Sequence, residues 1–206
     1  DRLADAYNRP VYVAGNPFWQ AEAFKATALI GGRESYGKDT ENAISGAVTE
    51  LARAGQTIVT TAEPGVGEMV IRAAAAQNAR IVVFAQDNDL SALRMGLQGE
   101  LREMVENGSA AIVTAQNPGY KVVERDGQKV RLSSPEDRRP DILGAATQFA
   151  DRIILAAANE RDMSALIAVE AGQVRPVAVM APHMNQYDAY SANVSLMRAN
   201  GSFMAE

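Results

Sequence analysis

Between Thr57 and Ala85 the sequence runs strand, turn, helix, strand, an order that sets two strands parallel in one sheet with the helix crossing over them. The strand Thr57-Ile58-Val59-Thr60-Thr61 enters the turn Ala62-Glu63-Pro64-Gly65-Val66-Gly67. A helix then spans about Glu68 to Gln77, and Arg80-Ile81-Val82-Val83-Phe84 forms the next strand. A turn of this kind points backbone N–H groups at the mouth of the helix, where glycines allow close approach and the helix dipole favours an anion. The spacing differs from the Gly-x-Gly-x-x-Gly of dinucleotide sites, and a purely structural turn in a parallel sheet would use the same glycines.

The rest of the chain continues the alternation. Val11-Tyr12-Val13 and Thr27-Ala28-Leu29-Ile30 read as buried strands, the second running into Gly31-Gly32-Arg33. From Thr40 to Ala54 the positions Ala43, Ile44, Ala47, Val48 and Leu51 recur at helical spacing, with Gly55 closing the helix. Further helices are expected at about 90–106, 135–149 (broken or restarted near Pro140), 163–172 and 189–199. Strands are expected at Ala110–Val113, Arg152–Ala156 and Val177–Met180, with a further edge strand at Ser202–Met204. Val122-Val123-Glu124 and Lys129–Leu132 flank Asp126-Gly127 as a hairpin, an insertion of about 120–133 at a sheet end. Its mixed charges, with a modest basic excess between Lys121 and Arg139, equally suit a solvated surface.

These runs predict one α/β domain over 1–206, a mostly parallel sheet with helices on both faces. Ligands of such sheets lie beyond the carboxyl ends of the strands, which puts the turns after Ile30, Thr61, Phe84, Val113, Ala156 and Met180 on one rim. Gly31-Gly32-Arg33 offers two flexible backbone sites and a guanidinium suited to phosphate, or simply a turn with an exposed arginine. Arg138-Arg139 offers a second grip, and Ser164 caps its helix or donates to phosphate.

Catalytic constellations are scarce. No cysteine is present, and the single histidine, His183, cannot by itself build a common zinc site. The chain carries neither a Gly-x-Ser-x-Gly elbow nor a Walker-type Gly-Lys-Ser/Thr. Glu63 and Glu68 flank the glycine turn, where they could act as acid and base but would also repel a phosphate. No apolar run reaches the ~18 residues of a membrane span and no leader-like segment opens the chain, so a soluble, cytoplasmic, non-enzymatic protein without cofactor is expected. The formal charge of −5 argues against strong nonspecific binding to nucleic acid and makes the distribution of charge decisive.

In order and spacing the motifs resemble those of the DprA/Smf family of DNA-processing proteins, a Rossmann-like group related to the LOG-type nucleotide hydrolases. Pro10–Asn16 resembles the opening "P-x-L-Y-x-x-G-D", and Ile30–Gly37 resembles "V-G-S-R-x-x-S-x-Y-G". Thr60–Arg72 falls at "S-G-x-A-x-G-I-D-x-x-A-H", with Gly65-Val66-Gly67 standing at the "G-I-D". Asn107–Ala110 and Asn117–Gly119 bracket the "L-x-S-E-Y-P-P-G" region, and Arg138-Arg139 falls at "F-P-x-R-N-R-x-I". Asp162-Met163-Ser164 is similar to "S-G-S-L-x-T-A", Ala181-Pro182 to "V-P-G", and Leu196–Gly201 to "L-I-x-x-G-A". The chain reads as a divergent relative.

The resemblance implies a Rossmann-like fold, single-stranded DNA binding, loading of a RecA-type recombinase in DNA processing and recombination, and a homodimer. It implies phosphate contacts at Gly31, Gly32, Arg33, Thr60, Thr61, Gly65, Gly67, Arg138, Arg139 and Ser164. The alternative is a LOG-like enzyme or sensor holding a nucleoside phosphate at the same turns, although Ala157–Asp162 lacks the "P-G-G-x-G-T-x-x-E" of that group. A scaffold that binds neither is the third possibility.

Overall fold

A computed structural model describes residues 11–20, 24–34, 36–85, 99–115, 121–125, 128–132, 135–156 and 177–180. The strands are β1 (Val11–Gly15), β2 (Ala26–Gly31), β3 (Thr57–Thr61), β4 (Ile81–Ala85), β5 (Ala110–Ala115), β6 (Lys121–Arg125), β7 (Gln128–Leu132), β8 (Arg152–Ala156) and β9 (Val177–Met180). The helices are α1 (Lys38–Arg53), α2 (Val66–Ala76), α3 (Glu100–Glu106) and α4 (Pro135–Phe149), with a 3₁₀ turn at Phe18–Gln20. Among the described residues seven strands form one sheet in the order β1-β5-β4-β3-β2-β8-β9, and β6 and β7 form a separate ribbon. Six of the seven run parallel; β1 alone is antiparallel, pairing Val11 with Ala115 and Gly15 with Ala111.

Apolar residues at both odd and even strand positions make this sheet two-sided. Ala28, Ile30, Val59, Val82, Phe84, Val113, Ile153 and Leu155 face one layer, which α4 covers with Ile142, Leu143, Ala145, Ala146 and Phe149. Leu29, Ile58, Ile81, Val83 and Ala156 face the other, against Ile44, Val48 and Leu51 of α1, Val66, Val70, Ile71 and Ala74 of α2, and Leu101 and Met104 of α3. Each large apolar side chain so buried stabilises the fold by about 1.5–3 kcal/mol, so strands such as β3 and β4, buried at every position, belong in the middle of the sheet.

Three expectations are corrected. β1 is an edge strand with Val13 exposed, not a buried one, and among the described residues it pairs with β5 alone. α4 runs without interruption through Pro140, its sixth residue, although a proline there cannot donate to Glu136 four residues back; the buried residues from Ile142 onward hold the helix to the sheet. α2 begins at Val66, two residues earlier than its pattern suggests, so Gly67 belongs to the helix and not to the turn. The hairpin forms as expected, with Arg125 opposite Gln128 across a two-residue connection. The expected helices at 163–172 and 189–199, the N-terminal part of the one at 90–106, and the strand at Ser202–Met204 lie outside the described residues.

The chain builds β2, β3, β4 and β5 outward in one direction and then returns to lay β8 against the opposite flank of β2. The reversal between β2 and β8 is the switch point of the sheet. In open α/β sheets the ligand crevice forms at such a point, on the carboxyl rim.

Candidate phosphate-binding rim

β2 ends at Gly31, where the chain turns out over β8. A Cβ on Gly31 would fall inside the contact shell of the Ala156 carbonyl oxygen and stand 3.1 Å from Val66 Cγ2, so only glycine lets these backbones meet. The next amide, that of Gly32, donates to the same Ala156 oxygen at 3.2 Å. The Gly32 carbonyl in turn accepts from the N–H of Val66 at 2.9 Å, the first residue of α2. The loop after β2, the end of β8 and the start of α2 are therefore stitched together through main-chain atoms.

Gly65 makes the stitch possible. It caps α2 with φ +77°, and a Cβ there would stand 2.6–2.8 Å from Gly32 O, Glu34 O and Arg33 C. No side chain caps the helix. Of the amides in its first turn, those of Val66, Glu68 and Met69 donate to Gly32, Glu63 and Gly65 carbonyls. Among the described residues no acceptor takes the N–H of Gly65 or Gly67, which leaves two donors at the positive end of an eleven-residue helix beside the switch point.

The hydroxyls of the two threonines are engaged inside the protein. Thr60 is fully buried and its hydroxyl donates to the Leu29 carbonyl at 2.8 Å, bracing β3 against β2. Thr61 is buried as well and donates to Glu63 Oε2 at 2.9 Å. Thr60→Val is expected to lower stability by about 1 kcal/mol through loss of one buried hydrogen bond, read as a shift in urea midpoint, and to leave ligand affinity unchanged. A drop in affinity at unaltered stability would return Thr60 to the site.

Neither carboxylate flanking the turn is spread over the rim. Glu63 is buried and receives the Thr61 hydroxyl. Glu68 is half exposed and pairs with Arg72 one turn along α2, a solvent-facing ion pair that contributes little to stability. Arg33, half-buried in the loop after Gly32, has no ion-pair partner among the described residues. Arg138 and Arg139 lie in the opening turns of α4, and Ser164 falls outside the described residues. The structure thus brings Gly31, Gly32, Arg33, Gly65 and Gly67 together, with the Gly32 amide already engaged and so unavailable to a ligand. Sequence reasoning missed the part played by Ala156, whose carbonyl organises the crevice from β8; no local pattern marks it.

This is a doubly wound α/β protein of the Rossmann type, with amide donors at its switch point and an arginine that has no ion-pair partner among the described residues. The particular version of that fold is the one seen in DNA processing protein A. The X-ray structure of DprA from Streptococcus pneumoniae matches with a TM-score of 0.62 at 14% identity, over 96% of this chain and 64% of that one. The Helicobacter pylori DprA structure, described for its single-stranded DNA binding mode, matches with a TM-score of 0.67 at 16% identity, over 97% of this chain and 85% of that one. The chain therefore spans just under two thirds of the S. pneumoniae protein. No family model and no curated protein matches the sequence. The DprA-like fold expected from the order of motifs is the fold observed. No helix among the described residues is long and apolar enough to cross a membrane.

Proposed function

We propose that the chain is a DprA-type protein that binds single-stranded DNA along the carboxyl rim, acting as a homodimer that hands the strand to a RecA-type recombinase. The observation that carries the reading is the pair of unaccepted amides at Gly65 and Gly67 beside the unpaired Arg33, at the switch point of a fold whose H. pylori representative is described as binding single-stranded DNA. The amides take phosphate oxygens, Arg33 supplies charge, and Arg138 and Arg139 extend the track from the head of α4. No base-reading constellation accompanies them, so contacts are to the backbone and recognition is tolerant of sequence.

Binding of this kind releases counterions, and log affinity for a single strand should fall by about 0.7 per neutralised phosphate for each unit of log salt. Arg33→Ala is expected to weaken oligonucleotide binding roughly tenfold, the worth of one charge-assisted hydrogen bond of about 1.5 kcal/mol, equally for all sequences. Gel-shift titrations over a salt series read both quantities. A flat salt response, or full affinity in the Arg33 variant, would remove the rim from DNA binding. A thermal-shift comparison of mononucleotides with oligonucleotides separates this reading from a nucleoside-phosphate enzyme or sensor, since only a ligand of the folded state raises its melting temperature.

A further inference from the structure

We infer that the β6–β7 ribbon is a second phosphate-binding element, an arm that extends the DNA track beyond the rim; the inference rests on the rim reading above. Its charge is the first ground. Between Lys121 and Leu132 four cations, Lys121, Arg125, Lys129 and Arg131, stand against two carboxylates, Glu124 and Asp126, in a chain whose net charge is −5. An arm of opposite sign to the body it leaves is suited to a polyanion.

The pairing register is the second ground. Directly opposite residues are the closest neighbours across a two-stranded ribbon, so a cation facing a carboxylate there is largely neutralised. Lys129 faces Glu124, but Arg125 faces Gln128, Arg131 faces Val122 and Lys121 faces Leu132. Three of the four cations have no carboxylate opposite them in the ladder.

The third ground is where the arm is attached. β5 runs parallel to β4, β3 and β2, so its last residue, Ala115, lies on the same rim as the ends of β2 and β3. The ribbon begins six residues later, and after it the chain enters α4 at Pro135, carrying Arg138 and Arg139 in that helix's first turns. β5 stands three strands from β2, roughly 14 Å at the usual spacing. A strand of about 3 nucleotides, roughly 10 Å at the stacked rise, would not reach from the switch point to the arm, whereas a long one would. The ribbon has no aromatic residue on which a base could stack, so it reads phosphates and not sequence.

The test uses the full chain, the variant Lys121→Gln/Arg125→Gln/Arg131→Gln, and oligothymidylates of about 3 and about 20 nucleotides, lengths that bracket common single-strand sites. The triple variant should bind the long oligomer about tenfold more weakly, with a salt slope smaller by about 2 from three lost phosphate contacts, and the short oligomer within twofold of wild type. Glu124→Gln, which frees Lys129, should tighten binding of the long oligomer and leave the short one unchanged; it decides the matter if the triple variant does not fold. Unchanged affinity and slope for the long oligomer in both variants would overturn the arm while leaving the rim intact. If wild type binds neither oligomer, rim and arm fall together.

Discussion

Gly31→Ala is expected to destabilise the protein by about 3 kcal/mol, at the upper end of what overpacking costs in a closed interior. The added methyl would occupy the space of the Ala156 carbonyl oxygen, and that atom belongs to a strand and not to a side chain able to swing aside. Relief requires β2 and β8 to separate at their carboxyl ends, which breaks the Gly32 to Ala156 hydrogen bond and pushes the loop away from Val66. Ligand affinity should therefore fall with stability, because the crevice is the thing displaced. Urea unfolding checks the first part and oligonucleotide titration the second. A shift below about 1 kcal/mol would mean that the strands are not held at the separation described.

Phe149→Ala is expected to cost about 3–5 kcal/mol, the range for removal of a fully buried aromatic ring. Phe149 ends α4 and meets Trp19, Phe24 and Phe84 edge to face, at centroid distances of 5.4, 5.7 and 5.5 Å. Such pairs add to the area they bury, so the loss exceeds a plain cavity term. Trp19 is the only tryptophan, and its buried Nε1 has no hydrogen-bond partner. The lower midpoint is read in a urea titration followed by the emission of Trp19. A midpoint near wild type would show that α4 is held by other contacts.

The fold was largely legible because its signals are local. The repeat of Ile44, Val48 and Leu51 fixed the buried face of α1, and the unbroken apolar runs at Ile58-Val59 and Ile81–Phe84 marked strands covered on both sides. β1 misled for a related reason: Val11-Tyr12-Val13 is as apolar as an interior strand, and nothing within it reveals that its only neighbour among the described residues is β5. The rim was legible in outline, since glycines after β2 and β3 do converge. What each glycine does was not. Gly31 and Gly65 are required by carbonyl groups distant in sequence, and the hydroxyls of Thr60 and Thr61 turn inward to partners that only the assembled sheet supplies. The same limit hid Ala156, which lies 125 residues from Gly31 and reaches it only through strand pairing.

The seam between β2 and β8 bears on how the molecule comes into being. Residues 125 apart, such as Thr27 and Arg152, must meet before the centre of the sheet is complete. A chain emerging from the ribosome can assemble β2 through β5 early, yet the flank of β2 stays bare until β8 has been synthesised, and closing so long a loop is slow. Until then the cleft that the proposed DNA binding needs is absent, so on that proposal competence to bind arrives in the same event that finishes the sheet.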